Sequence, residues 1–390
     1  MAEADLVLQH IDSEQLIRLA QEMVRIPSDN PPGREGDLAR FLMGFLQRMG
    51  LDAELREVAP GRPNVVARWG AERGPHLLLN GHMDALPPGE GWTRDPYGAE
   101  IVGGRLYGRG STDMKGPLAC LIAAVDAVKR SGLRPRGRVT LMAVVDEEGT
   151  QEGTRRLVQE GETGDFGIVA EPTEFLPVAA HKGDMYIEVV THGKEAHAST
   201  PQAGVNAIEH MADVLVELRD LRGQLQEIVH PLTGSPTLTV ATIEGGMLTP
   251  MVPGRCRITI DRRVLPNESA DEAVEQVRRA VGRLRARRPE INADVRMLAF
   301  APPMETDANN PVVAAVREAT TRVRGRDPGV HGWAATCDAN FMVNEGRTPT
   351  VVFGPGSIAE QAHKPDESIA TDDLIAGTKI YALCIARLLG

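Results

Sequence analysis

The sequence predicts an α/β protein in two parts, a sheet of strands buried on both faces and an inserted α+β domain that interrupts it. Three observations predict this. Short, continuously apolar runs recur along the chain, an amphipathic helical segment separates two of them, and the middle of the chain alternates strand and helix patterns in βαββαβ order.

In residues 38–49 the apolar positions Leu38, Phe41, Leu42, Phe45, Leu46 and Met49 recur at helical spacing, and Gly50 stands where a helix would stop. The runs 76–80, 139–145, 166–170 and 349–353 are apolar without alternation, as expected of strands covered on both sides. Between the first two, residues 116–131 carry Leu118, Leu121, Ile122, Val125 and Val128 and read as a crossover helix. Strand, helix, strand implies parallel pairing. The pattern then changes. Residues 184–191 and 237–243 alternate like half-buried strands, 205–222 is helical, 255–262 alternates again, 271–286 is helical, and 293–298 closes the βαββαβ order.

With 390 residues, 42% of them hydrophobic and 25% charged, the chain is globular and too long for one compact core. The expected division is a discontinuous domain of residues 1–180 and 299–390 with an insertion at 181–298. Forty-three basic against 54 acidic residues give a formal net charge of -11, which repels a phosphate backbone, so nucleic acid is not an expected partner. Glu3, Asp5 and Asp12 stand where a secretory signal needs basic residues and an apolar run. No stretch approaches the roughly 20 apolar residues of a membrane span, so no membrane partner is expected. The four cysteines are scattered, without Cys-x-x-Cys pairs, which fits a reducing, cytoplasmic setting and buried structural roles.

The chemistry-bearing residues follow the buried runs, at what would be the carboxyl ends of parallel strands, where open α/β sheets build their sites. Gly81-His82-Met83-Asp84 follows the first run; His82 is a candidate ligand and Asp84 a carboxylate able to orient its ring. The glycine-rich stretch from Gly108 to Gly116 leads into the crossover helix and contains Asp113, whose two oxygens could bridge two cations. A phosphate cradle competes with this reading, although the pattern is neither a P-loop nor a dinucleotide fingerprint. Asp146-Glu147-Glu148 follows the next run; adjacent carboxylates there repel unless cations or a shared proton relieve them, and a solvated acidic turn is the plain alternative. Glu171 and His363, each an ordinary loop residue alone, complete two nitrogen and oxygen ligand sets compatible with zinc first, and with cobalt or manganese.

These residues in this order resemble the metallopeptidase family of acetylornithine deacetylases, succinyl-diaminopimelate desuccinylases, aminoacylases and glutamate carboxypeptidases, from about Ile17 onward. The resemblance implies that His82 and Glu171 hold one metal, that Glu148 and His363 hold the other, and that Asp113 bridges them. It implies that Glu147 is the general acid/base and that Asp84 orients the first imidazole. It also implies that the insertion is a ferredoxin-like lid through which such chains pair into homodimers. Gly193-Lys194-Glu195-Ala196-His197 is similar to the family segment whose histidine stabilises an oxyanion, and Asp261-Arg262-Arg263 to the one whose arginine, here Arg263, binds a substrate carboxylate. Two departures bear on specificity: Pro250 replaces an asparagine typical of desuccinylases, and Cys337 stands between the polar residues of a threonine-aspartate element.

The implied activity is hydrolysis of an amide in an N-acyl amino acid or short peptide. Two ions would acidify a shared water, Glu147 would take its proton and return it to the leaving nitrogen, and His197 would help to stabilise the oxyanion. The alternatives are a catalytically silent member of the same scaffold that binds a metabolite or protein, a single-metal hydrolase, and a phosphohydrolase. Retention of Glu147 beside a full ligand set speaks against a pure binder, which needs no proton carrier.

Overall fold

The computed structural model describes residues 3–390. The chain divides into two units: one takes the chain up to Ala179, then Thr306–His331 and Cys337–Gly390; the other takes Ala180–Glu305 and Gly332–Thr336. The strands that matter for the argument are, in chain order, β1 (Asp52–Ala59), β2 (Arg62–Gly70), β3 (His76–His82), β4 (Arg138–Val144), β5 (Phe166–Val169), β6 (Val178–His181), β7 (Gly183–His192), β8 (Thr237–Gly245), β9 (Arg255–Val264), β10 (Asn292–Ala301) and β11 (Thr350–Val352).

In the first unit the sheet runs β1-β2-β4-β3-β5-β11, and Val178 at the start of β6 pairs with Val352. Its centre, β4-β3-β5-β11, is parallel, whereas β1, β2 and β6 pair antiparallel, so the sheet is mixed. The parallel centre is where the apolar runs lie, for a physical reason: crossover connections bring helices onto the faces of a parallel sheet, so its strands lose their polar side. Leu77, Leu78 and Leu79 of β3 are all fully buried. At roughly 1.5–3 kcal/mol for each such side chain, they are a large part of what holds the strand in place. Helix Lys115–Arg130 packs on β3 and against helix Thr371–Leu389. Helix Glu152–Gln159 packs on β1 and β4 and against the short helix Ala339–Asn344.

The expected helix near residues 38–49 is Gly36–Arg48, with Leu38, Leu42 and Leu46 buried. The structure adds helices Ser13–Arg25, Pro311–Arg324 and Thr371–Leu389, and the antiparallel pair β1–β2. No helix among the described residues is long and apolar enough to cross a membrane. All four cysteines are buried and free.

The second unit has an antiparallel sheet in the order β8-β9-β7-β10, with helices Ala207–Leu225 and Ala270–Arg287 between its strands along the chain. That is the βαββαβ connectivity of a ferredoxin-like fold. Met185, Ile187 and Val189 alternate along β7 into one core with Met211, Val214 and Leu218 of the first helix and Val274, Val277 and Val281 of the second. Both helices start on local signals: the Asn206 side chain accepts the N–H groups of Ile208 and Glu209, and Ser269 with Glu272 forms a capping box.

Candidate metal centre

β3 ends at His82, β4 runs into Asp146-Glu147-Glu148, and β5 runs towards Glu171. Because β4, β3 and β5 are parallel neighbours, their carboxyl ends lie side by side and bring these acids and the imidazole together. Asp113 arrives from the loop before helix Lys115–Arg130, and His363 from the loop after β11. Glycines are required by the path here: Gly110, in the first loop, has φ +79, and a Cβ on Gly116, in the first turn of the helix, would lie 2.3 Å from the Ser111 carbonyl oxygen.

Asp113 is the hub. Its Oδ1 lies 3.2 Å from His82 Nε2, and its Oδ2 lies 3.2 Å from His363 Nε2. Glu148 Oε1 is 2.9 Å from the same His363 nitrogen. Glu171 Oε1 lies 3.8 Å from His82 Nε2 and is a buried oxygen with no hydrogen-bond partner. Two sets therefore converge, His82 with Asp113 and Glu171, and Asp113 with Glu148 and His363, each with ligand atoms within 4.8 Å of one another. Glu147 belongs to neither set, yet its Oε2 is 3.9 Å from His82 Nε2.

The electrostatics are those of an acidic surplus that is buried at Asp113 and Glu171, half-buried at Glu147 and Glu148, and open to solvent at His363. Burial pushes the carboxyls of Glu147 and Glu171 well above the usual range, and that of Glu148 up as well. Burial acts in the same direction on Asp113, but hydrogen bonds from His363 and His82 outweigh it and hold that carboxyl low. His363 is raised to about 10 by its contacts with Asp113 and Glu148. Burial opposes protonation of His82, but Asp113, Glu147 and Glu171 overcome it and raise that imidazole too. Divalent cations satisfy such a surplus with both imidazoles neutral, and the partnerless Glu171 oxygen is an acceptor awaiting a positive group. The donor set, two imidazole nitrogens and carboxylate oxygens with one carboxylate shared, fits a pair of such ions.

The supporting contacts include several that the sequence does not signal. His82 Nδ1 lies 2.9 Å from the Asp84 main-chain carbonyl oxygen and 3.6 Å from its Oδ1, so the ring is oriented by the carbonyl with the carboxylate behind. The Asp84 carboxylate instead accepts the main-chain N–H groups of Glu147 and Glu148 and an N–H from the Asn30 side chain. Asp146 takes a left-handed φ of 68° and is held by Asn30 and Arg62, the latter also paired with buried Glu35. Glu367 accepts the N–H groups of Gly110, Thr112 and Asp113 and pairs with buried Arg109, tying the Asp113 loop to the His363 loop. Gln151 donates to Glu147 Oε1.

His197 and Arg263 lie in the second unit. His197 is exposed; its Nδ1 accepts the Ser199 N–H at 3.1 Å and lies 2.7 Å from the Ser199 hydroxyl oxygen. Arg263, on β9, makes a bidentate pair with Asp261 at 3.0 and 2.9 Å and lies 3.5 Å from Asp184.

Known proteins resemble this chain over most of its length. The model of peptidase family M20/M25/M40 matches residues 78–387. The chain is 33% identical to the acetylornithine deacetylase of Vibrio campbellii over 354 residues, covering 89% of this chain and 90% of that one. The corresponding enzyme of Vibrio parahaemolyticus is 34% identical over 354 residues, with the same coverage. Among solved structures, aminopeptidase PepT from Bacillus cereus superposes with a TM-score of 0.81 at 22% identity, covering 97% of this chain and 99% of that one. The YXEP protein of Bacillus subtilis, described as a dinuclear metal binding peptidase, does so at 0.72 and 16% identity, covering 97% and 98%.

Proposed function

This chain belongs to peptidase family M20/M25/M40, and from that premise we propose that it hydrolyses the amide bond of an N-acylated amino acid or of a short peptide with a free carboxylate. Family membership makes it a metallohydrolase. The observation that carries the finer reading is the pair of ligand sets sharing Asp113, with Glu147 partly buried beside them and belonging to neither.

In this reading His82, Asp113 and Glu171 hold one divalent ion, and Asp113, Glu148 and His363 hold the second; zinc suits the mixed nitrogen and oxygen set, as do cobalt and manganese. Ions there supply Lewis acidity towards a carbonyl oxygen and towards water. Glu147 takes a proton from the attacking water at Oε2 and passes it to the leaving nitrogen, so that the carbonyl carbon gains hydroxyl as the carbon–nitrogen bond breaks. Asp84 holds the turn that presents Glu147 and Glu148. His197 is assigned the role of oxyanion donor through Nε2–H, and Arg263 that of anchor for the substrate carboxylate.

A homodimer formed through the second unit is part of the same proposal; the exposed side chains of Ile243, Met247 and Leu248 there supply apolar surface for it. A cytoplasmic location accords with the four free cysteines.

The test is metal-reconstituted hydrolysis of N-acetylornithine, N-succinyl-diaminopimelate, N-acetylmethionine and several dipeptides, with Glu147→Gln measured alongside. Metal-dependent release by the wild type and not by the variant supports the reading and identifies the acyl class. Silence across the panel with two metals bound, or normal turnover by Glu147→Gln, overturns it.

A further inference from the structure

We propose that Gln151 is a positioning residue for Glu147 and that Asn340 sets the polarity of its amide. The inference rests on the acid/base reading of Glu147 given above.

Gln151 Nε2 donates to Glu147 Oε1 at 3.2 Å, and Asn340 Nδ2 donates to Gln151 Oε1 at 2.9 Å. Both amides are out of water, Gln151 at 6% exposure and Asn340 at 0%. Both are held by their backbones. Gln151 sits in the left-handed region at φ 58°, its N–H donates to the Asp146 carbonyl at 2.7 Å, and it opens helix Glu152–Gln159. Asn340 lies within helix Ala339–Asn344, which packs against that helix.

A carboxamide has an acceptor at one end and a donor at the other. Once Asn340 occupies the Gln151 oxygen, only the NH₂ end faces Glu147. Two amides in series thus carry one polarity from the short helix to the carboxylate: donor to acceptor, then donor to acceptor. Reversed, the line would set the Gln151 oxygen against Glu147 Oε1, a pairing that the ionised carboxylate, which only accepts, does not satisfy. The consequence is a carboxylate pinned by one oxygen and open at the other, with Oε2 left on the His82 side at 3.9 Å. A lysine or arginine at this position would orient Glu147 equally well but would lower its affinity for a proton. The neutral amide orients it without adding a charge beside it.

Four variants of the full-length, metal-reconstituted chain test this: Gln151→Leu, Asn340→Asp, the double variant, and Glu147→Gln. Each is read by kcat and KM with the panel substrate that the wild type cleaves, by metal stoichiometry and by unfolding midpoint. Gln151→Leu is expected to lower kcat about 10- to 100-fold, the scale of a misplaced reacting group, with KM and two bound metals unchanged. Asn340→Asp puts an acceptor where a donor stood and turns the Gln151 amide round, so it should lower kcat at least as far. In the double variant the second change should add nothing, because the line it acts through is already cut. Gln151→Ala and Asn340→Ala replace any variant that does not fold. Wild-type kcat in the Gln151 variant, losses that simply add, or losses tracking metal content or unfolding overturn the proposal. Inactive Glu147→Gln beside a normal Gln151 variant sinks this inference alone; active Glu147→Gln sinks the acid/base reading with it.

Discussion

Asp84 Oδ2 accepts the main-chain N–H of Glu148 at 3.1 Å, so a residue two places after one candidate ligand fixes the backbone of another. The same carboxylate takes the Glu147 N–H on its other oxygen. It therefore needs acceptors on both sides, which a carboxylate offers and an amide does not.

Replacing Asp84 by Asn points an NH₂ group at one of these N–H donors and pushes the turn away. Metal affinity should fall about 10- to 100-fold, as is usual when a partner behind the ligands is lost. Competition with a chromophoric chelator measures it. Wild-type affinity in this variant would show that the turn is held without Asp84.

His363 contributes to one ligand set only, whereas Asp113 contributes to both. His363→Ala should therefore retain one equivalent of metal and Asp113→Asn should bind neither ion tightly. Metal analysis after gel filtration distinguishes them. Equal stoichiometry in the two variants would contradict a shared carboxylate.

Arg263 is paired with Asp261, so a substrate carboxylate must compete with a bidentate partner already in place. If it does bind there, Arg263→Ala should raise KM about 10- to 100-fold, the worth of a charged hydrogen bond of roughly 1.5–3 kcal/mol, and kcat should change less. Steady-state kinetics with a substrate and its carboxamide analogue decide the matter: the analogue should be indifferent to the change, and a similar loss for both would remove Arg263 from this role.

In the second unit, hydrogen bonds from Arg296 and Arg257 hold the carboxyl of Glu188, on β7, below the usual range. A carboxyl depressed in the folded state contributes stability above its unfolded pKa, about 4.3, and loses that contribution as pH falls through the lower folded value. Glu188→Gln should therefore be less stable than wild type at pH 7, and the gap should close in acid. Urea midpoints across pH give the difference. A gap independent of pH would mean that packing, not charge, is what the variant loses.

The sequence by itself determined the elements and which side chains of acid and imidazole type follow the buried strands. Apolar runs 76–80, 139–145, 166–170 and 349–353 became the parallel centre of the sheet, and the middle segment took the βαββαβ connectivity, because periodicity and burial are local properties of a chain. His82, Glu147, Glu148 and Glu171 were legible for the same reason: they follow buried strands, and the carboxyl ends of neighbouring parallel strands coincide. The tertiary structure alone decided the partnerships. Nothing around Asn30, Gln151, Asn340 or Glu367 has a period or a spacing that marks it, since each acts through a hydrogen bond to a residue brought near by the path of the chain, Glu367 to the Asp113 loop and Asn340 to Gln151. Asp84 shows the limit most plainly. Its place two residues after His82 suggested a carboxylate facing the ring, whereas the backbone turn gives the ring the main-chain carbonyl and sends the carboxylate to Glu147 and Glu148. Which atom of a residue meets which partner is set by where the backbone points, and that is fixed only when the strands have paired.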